Sequence, residues 1–233
     1  MDHHPSTFVL VHGAWHGGWA WGRVVPLLRA AGAHVIAPDL THDRDIGLRT
    51  HVDEVVAALD AVPGDREVVL VGHSYAGLVV REAADRRAER VGRIVLVDGW
   101  AGVDGASMST LAPAWFTDAV RASAQATGDG WRIPAPDPAA FGIEDPADAA
   151  WLRRRLRPQP LRTFTESTRL TAAVDRIPGT GVYCRPQTFP FADLADALGY
   201  HLVAVDGPHD VMLTHPETLA AALLAEARRR ASG

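Results

Sequence analysis

The sequence predicts an α/β fold: a mostly parallel sheet flanked by helices, with a small helical insertion. Three observations predict it. Short continuous apolar runs alternate with longer amphipathic stretches, the alternation lapses between about Trp100 and Asp175, and 233 residues suffice for one such domain with a substantial core. The expected organisation is therefore a core made of residues 1–99 and 176–233, with 100–175 as the insertion.

The first strand falls at Phe8–Val11, followed by His34–Ala37, Glu67–Val71, Arg93–Val97 and Gly181–Tyr183, with a weaker sixth run at His201–Val205. Runs rich in Val, Ile and Leu without polar alternation suit strands buried on both faces of a parallel sheet. Helices are expected at Trp19–Ala31 before Gly32, at Arg49–Ala61 before Pro63, and at Tyr75–Arg87. A last helix, His215–Arg230, has Pro216 and Glu217 in its first turn and arginines at its end, which complements the helix dipole. Within the insertion, Leu111–Ala126 and Ala147–Leu156 read as amphipathic helices between Gly/Pro/Asp clusters. A stretch that long is too long for a bare loop in a compact domain, so it is expected to lie over the strand ends.

A formal net charge of −5 gives no reason to expect a nucleic-acid partner. All 23 basic residues are arginine, so Schiff-base and lysine general-base chemistry are excluded. The single cysteine, Cys184, rules out an internal disulfide. The N-terminal apolar run is too short for a signal peptide or a membrane span. The expectation is a cytoplasmic protein that binds neither nucleic acid nor membrane.

"VVLVGHSYAGLVV" places Gly72-His73-Ser74-Tyr75-Ala76-Gly77 between an expected strand and an expected helix. A serine on such a turn projects its hydroxyl above the sheet, with the helix N-terminus behind it. The bland alternative, a helix N-cap serine, is common. A serine hydroxyl is a weak nucleophile and needs a base within hydrogen-bond reach. "VDGPHDVMLTHPE" offers His209 in the loop between the last strand and the last helix; of 11 histidines, its position in the topology singles it out. His215, beside Pro216, reads as a capping-region residue. Developing charge on a substrate oxygen needs backbone donors, one after the nucleophile and one from an earlier loop. The glycine-rich "VHGAWHGGW" after the first strand supplies the second, so the donors are assigned to the N–H groups of Ala14 and Tyr75. Neither GxxxxGK[ST] nor GxGxxG spacing is present, which argues against a nucleotide loop.

With these elements in place, the chain resembles the α/β-hydrolases. Within them it is similar to the group of plant methylesterases (salicylate-binding and polyneuridine-aldehyde esterases), hydroxynitrile lyases and bacterial esterase relatives. The resemblance runs through "FVLVHGAWHGGWAW", "LLRAAGAHVIAPDL", "VVLVGHSYAGLVV" and "GPHDVMLTHPE". It implies a serine nucleophile, a histidine base, an aspartate, no cofactor or metal, a lid enclosing small esters, and often dimers.

One member of that pattern is displaced. In the plant enzymes the aspartate follows the penultimate strand, which here reads "GVYCRPQTFPF" and offers Gln187 instead of a carboxylate. A neutral amide cannot stabilise an imidazolium as a carboxylate does. The same architecture allows the acid to follow the strand after the nucleophile helix, where "RIVLVDGWAG" ends in Asp98. Asp98 is therefore the expected acid, with Asp206, Asp210 and Asp193 as alternatives and an ordinary strand-end turn as the bland reading.

The expected activity is hydrolysis of a small-molecule carboxylic ester or lactone through an acyl-enzyme on Ser74, with His209 as base and Asp98 behind it. Trp15, Trp100, Trp115 and Trp131 are the expected pocket residues, and Phe116, Phe141 and Trp151 are further aromatics of the insertion. About half of the insertion's aromatics are expected only to pack. Two other readings remain open at this point. One is a lyase or cyclase using His209 as a base on a carbon acid; the missing lysine counts against cyanohydrin chemistry. The other is a ligand-binding protein that kept the fold without catalysis.

Overall fold

The computed structural model describes residues 6–64 and 67–229. Among these residues, eight strands occur in the order β1 (Thr7–Val11), β2 (His34–Ile36), β3 (Val68–His73), β4 (Val91–Val97), β5 (Arg132–Ile133), β6 (Gln159–Pro160), β7 (Gly179–Arg185) and β8 (His201–Asp206). Ten α-helices accompany them: α1 (Val25–Ala30), α2 (Leu48–Asp60), α3 (Ala76–Arg86), α4 (Met108–Leu111), α5 (Ala114–Thr127), α6 (Pro146–Arg153), α7 (Arg162–Thr165), α8 (Phe191–Asp196), α9 (Val211–Thr214) and α10 (Pro216–Arg228).

The main sheet has six strands in the order β2-β1-β3-β4-β7-β8, every neighbouring pair parallel. These are the six runs expected from the sequence. β1 and β3 are buried along their whole length, which is why their residues show no polar alternation. Adjacent residues of β7 display the two covered faces. Thr180 Oγ1 donates to Glu226 of α10 at 2.6 Å, whereas a Cβ on Gly181 would meet Ala195 of α8 at 2.5 Å. α1 packs with α10, and α2 with α3.

Local chemistry shifts several expected boundaries. The helix expected over Trp19–Ala31 splits into a 3-10 turn, Gly18–Trp21, and α1. Pro26 lies in the first turn of α1, where its missing N–H costs nothing, so the helix starts afresh there. The Leu111–Ala126 helix likewise becomes α4 and α5, separated at Pro113. Ser107 caps α4, and Asp145 caps α6 by accepting from the Asp148 N–H at 2.8 Å. Helices α8 and α9 and the short antiparallel β5–β6 pairing were not expected.

The segment between β4 and β7 contains residues 100–175, the stretch read from the sequence as an insertion. It carries α4 to α7 and the β5–β6 pairing. Among the described residues, no helix is long and apolar enough to cross a membrane.

Candidate active site

Ser74, Asp98 and His209 follow the carboxyl ends of β3, β4 and β8, at one edge of the sheet. In open parallel sheets this is the edge where ligands bind.

Ser74 sits at φ +53, in the left-handed region, on the turn between β3 and α3. The turn is fastened on both sides: its N–H donates to Val97 O at 3.1 Å, and its carbonyl accepts from the Gly77 and Trp100 N–H groups at 3.0 Å each. Small residues make the turn sterically feasible. A Cβ on Gly72 would lie 2.7 Å from Val80, and one on Gly77 would lie 2.2 Å from the Trp100 carbonyl oxygen. Gly77 is thus the residue that lets α3 approach the end of β4, one place later than the glycine of the usual serine-turn pattern.

Asp98 also has a left-handed backbone, at φ +41, and is 1% exposed. Its N–H donates to Val182 O at 2.8 Å, and its Oδ1 accepts from the Cys184 N–H at 2.7 Å, so β7 holds it in place. The remaining oxygen, Oδ2, lies 3.0 Å from His209 Nδ1. With Asp98 ionised, Nδ1 is the donor and Nε2 is left free to accept a proton. Burial, together with the Asp98 carboxylate, pushes the Cys184 thiol well above its ordinary range, so it offers no thiolate there.

The other carboxylates considered from sequence lie elsewhere. Asp206 pairs with Arg185 on the surface, and Asp193 is exposed. Asp210 is fully buried against His16. Gln187 accepts from the Ala192 N–H at 3.0 Å, near the start of α8.

The loop after β1 crosses directly beside the serine turn. A Cβ on Gly13 would come within 3.0 Å of the Ser74 Cβ. Trp15 is held at φ +65, with its N–H on Gln159 Oε1 at 3.0 Å and its indole N–H on Ile133 O at 3.1 Å. The N–H groups of Ala14 and Tyr75 have no acceptor among the described residues. Trp15, Ser74 and Asp98 account for three of the five non-glycine positive-φ residues described, a concentration of backbone strain usual at functional sites.

Ser74 and His209 line one cavity of about 280 Å³. Its wall is apolar and comes largely from the insertion: Trp100, Met108, Phe116, Val120 and Ile133, with Phe141 and Pro134. Two of the expected pocket residues, Trp15 and Trp100, belong to this wall; Trp115 and Trp131 do not. Trp115 is 65% exposed and covers Phe189 from outside. Trp131 lies instead beneath the Arg44 and Arg132 guanidinium groups, each 5.9 Å from its ring centroid. Trp151 packs on Trp19 and Arg155. Thr188, Phe189 and Phe191 complete the wall and were not expected there; the "TFPF" run after β7 was the available signal.

The family model described as the alpha/beta hydrolase family matches residues 8–222, and the chain belongs to that family. A carbendazim hydrolyzing esterase of Nocardioides sp. (strain SG-4G) is 34% identical over 94% of this chain and 99% of its own length. Salicylic acid-binding protein 2 of Nicotiana tabacum is 41% identical over 36% of this chain and 35% of its own. Among solved structures, an extracellular α/β-hydrolase of a Paenibacillus species superposes with a TM-score of 0.85, at 24% identity, over 97% of this chain and 100% of that one. With an esterase related over its full length and methylesterases over part of theirs, the chain is a carboxylic ester hydrolase.

Proposed function

We propose that the protein hydrolyses a small uncharged ester or lactone through an acyl-enzyme on Ser74. The observation that carries this reading is the 3.0 Å His209–Asp98 hydrogen bond, at the wall of a cavity that Ser74 also lines. His209 takes the Ser74 proton, the hydroxyl oxygen attacks the carbonyl carbon, and the Ala14 and Tyr75 N–H groups receive the oxyanion. His209 then returns the proton to the leaving alcohol, and water repeats the sequence to release the acid. Asp98 keeps Nδ1 protonated and stabilises the imidazolium.

The insertion serves as a lid whose apolar side chains select an uncharged, aromatic-sized acyl group. Among the described residues, no Asp, Glu or Arg lines the cavity, which supports a neutral substrate. The full-length relative's name supports testing carbendazim beside aromatic methyl esters.

The test needs no substrate. Wild type and Ser74→Ala are incubated with a fluorophosphonate, and intact masses are read. One adduct on the wild type alone is expected. A folded wild type without an adduct would overturn the acyl-enzyme and move His209-only chemistry ahead.

A further inference from the structure

Below the proposed catalytic groups lies a second, buried set of polar side chains that the mechanism does not use. His16 is 1% exposed and Asp210 is fully buried. The His16 Nε2 lies 2.9 Å from Asp210 Oδ2, and its Nδ1 lies 2.7 Å from the Ala14 carbonyl oxygen. A carbonyl can only accept, so Nδ1 donates to Ala14; with Asp210 ionised, Nε2 must donate as well, which makes His16 an imidazolium. Burial opposes that charge, but the Asp210 charge and the two hydrogen bonds outweigh it and raise the His16 pKa above its ordinary value. Burial likewise works against the Asp210 anion, and His16 prevails in lowering its pKa. The other groups facing the ring are His73, Trp19 and Phe141.

The positions of these residues matter as much as their charges. Ala14, whose carbonyl His16 holds, is the proposed oxyanion donor, and Asp210 directly follows the proposed base. The Asp210 N–H donates to the Phe141 carbonyl at 3.2 Å, which ties in the cavity wall. His73, directly before Ser74, lies with Nε2 3.1 Å from the His209 carbonyl and donates to it. The oxyanion loop through Ala14, the nucleophile turn through His73 and the base loop through Asp210 and His209 are thus joined in one buried network. We propose that His16 and Asp210 are a positioning pair that holds the oxyanion loop and the base loop in register. This rests on Ala14 acting as oxyanion donor and His209 as base.

In a buried site, a displacement of about 1 Å can cost ~10²-fold in rate. His16→Leu and Asp210→Leu should each slow fluorophosphonate labelling of Ser74 by ~10²-fold. Ester turnover should fall in kcat with KM held, and the double variant should be no slower than the slower single. Val55→Ala, a buried change in α2 that does not line the cavity, controls for lost stability and should label at the wild-type rate. Labelling at the wild-type rate by folded Asp210→Leu would overturn the pair while leaving the esterase reading intact.

Should the leucine variants not fold, nitrogen NMR of the wild-type His16 ring decides. Two ring protons at neutral pH are expected, and a single one overturns the pair. That count is independent of turnover, so a wild type that failed to label would damage only the reading of the site as an acyl-transfer centre.

Discussion

The sheet and the insertion solve different problems in the same molecule. In β1 and β3 every residue is buried, and Ser74 and Asp98 leave the sheet at turns fixed by backbone hydrogen bonds. In α5, by contrast, only Val120 and Ala124 of 14 residues are buried, and the insertion carries exposed Trp115 and Val103. A frame buried on both sides cannot shift one residue without repacking its neighbours. A half-exposed helix can change its outer face at little cost. Under the proposed mechanism, the contrast separates a rigid part that places the reacting atoms from a half-exposed part that walls the cavity.

The largest expected effect belongs to the frame. Asp98→Asn should leave the fold intact and lower ester turnover by ~10⁴-fold, because the amide cannot hold His209 in the required tautomer and charge state. Steady-state kinetics on the folded variant checks this, and near-normal turnover rules Asp98 out.

Next comes Gly77→Ala. Its new Cβ would sit 2.2 Å from the Trp100 carbonyl oxygen, a backbone atom that cannot swing aside. Overpacking of this kind costs about 1–3 kcal/mol or more, which a denaturant titration reads directly. An unchanged midpoint would mean the turn is less tightly determined than its geometry requires.

The core should also be sensitive to acid. Burial lowers His12 to about 3 and His51 to about 4, and burial with nearby positive charge lowers His42 to about 4. Between pH 6.5 and about 4 the unfolded chain therefore binds protons that the folded chain refuses. Stability should be complete above the ordinary histidine value and fall as pH drops through that window, with His51 alone contributing of the order of 3 kcal/mol. His16, with its raised value, acts in the opposite sense, being fully stabilising in acid and less so as pH rises through its folded value. Calorimetric melting temperatures that stay level down to pH 4 would mean that these buried histidines do not govern stability in acid. His51→Gln can still bond Thr41 O and Tyr75 Oη, and should flatten the slope.

The smallest effects should come from the insertion, and from neighbours on one helix. Phe116→Ala opens the cavity wall and should change the preference between bulky and small esters by roughly tenfold. Trp115→Ala removes an exposed ring and should change stability by no more than ~0.5 kcal/mol. A larger selectivity change from Trp115 than from Phe116 would reverse the assignment of the helix faces.

That pair also shows why part of the site was illegible. Consecutive helical residues point about 100° apart, so one of two adjacent aromatics faces the cavity and the other faces solvent. Composition cannot say which. Trp131 went astray for a related reason: it follows the Gly128–Gly130 turn, whose direction sets where the ring lands. The His16–Asp210 pair spans 194 positions of chain and leaves no local pattern. It exists only because the loops after β1 and β8 meet at one sheet edge.

Local runs of residues were enough to set the six strands, the serine turn and the loop carrying His209, because burial on both faces and tight turns restrict residue types over a few neighbouring positions. They also placed Asp98 at a strand end, where a carboxylate after four apolar residues stands out. It took the packed molecule to bring Asp98 to His209, to wall the cavity with Phe116 rather than Trp115, and to pair His16. Those outcomes depend on side-chain direction and on contacts between distant segments, which are fixed by how layers pack and not by any local run of residues.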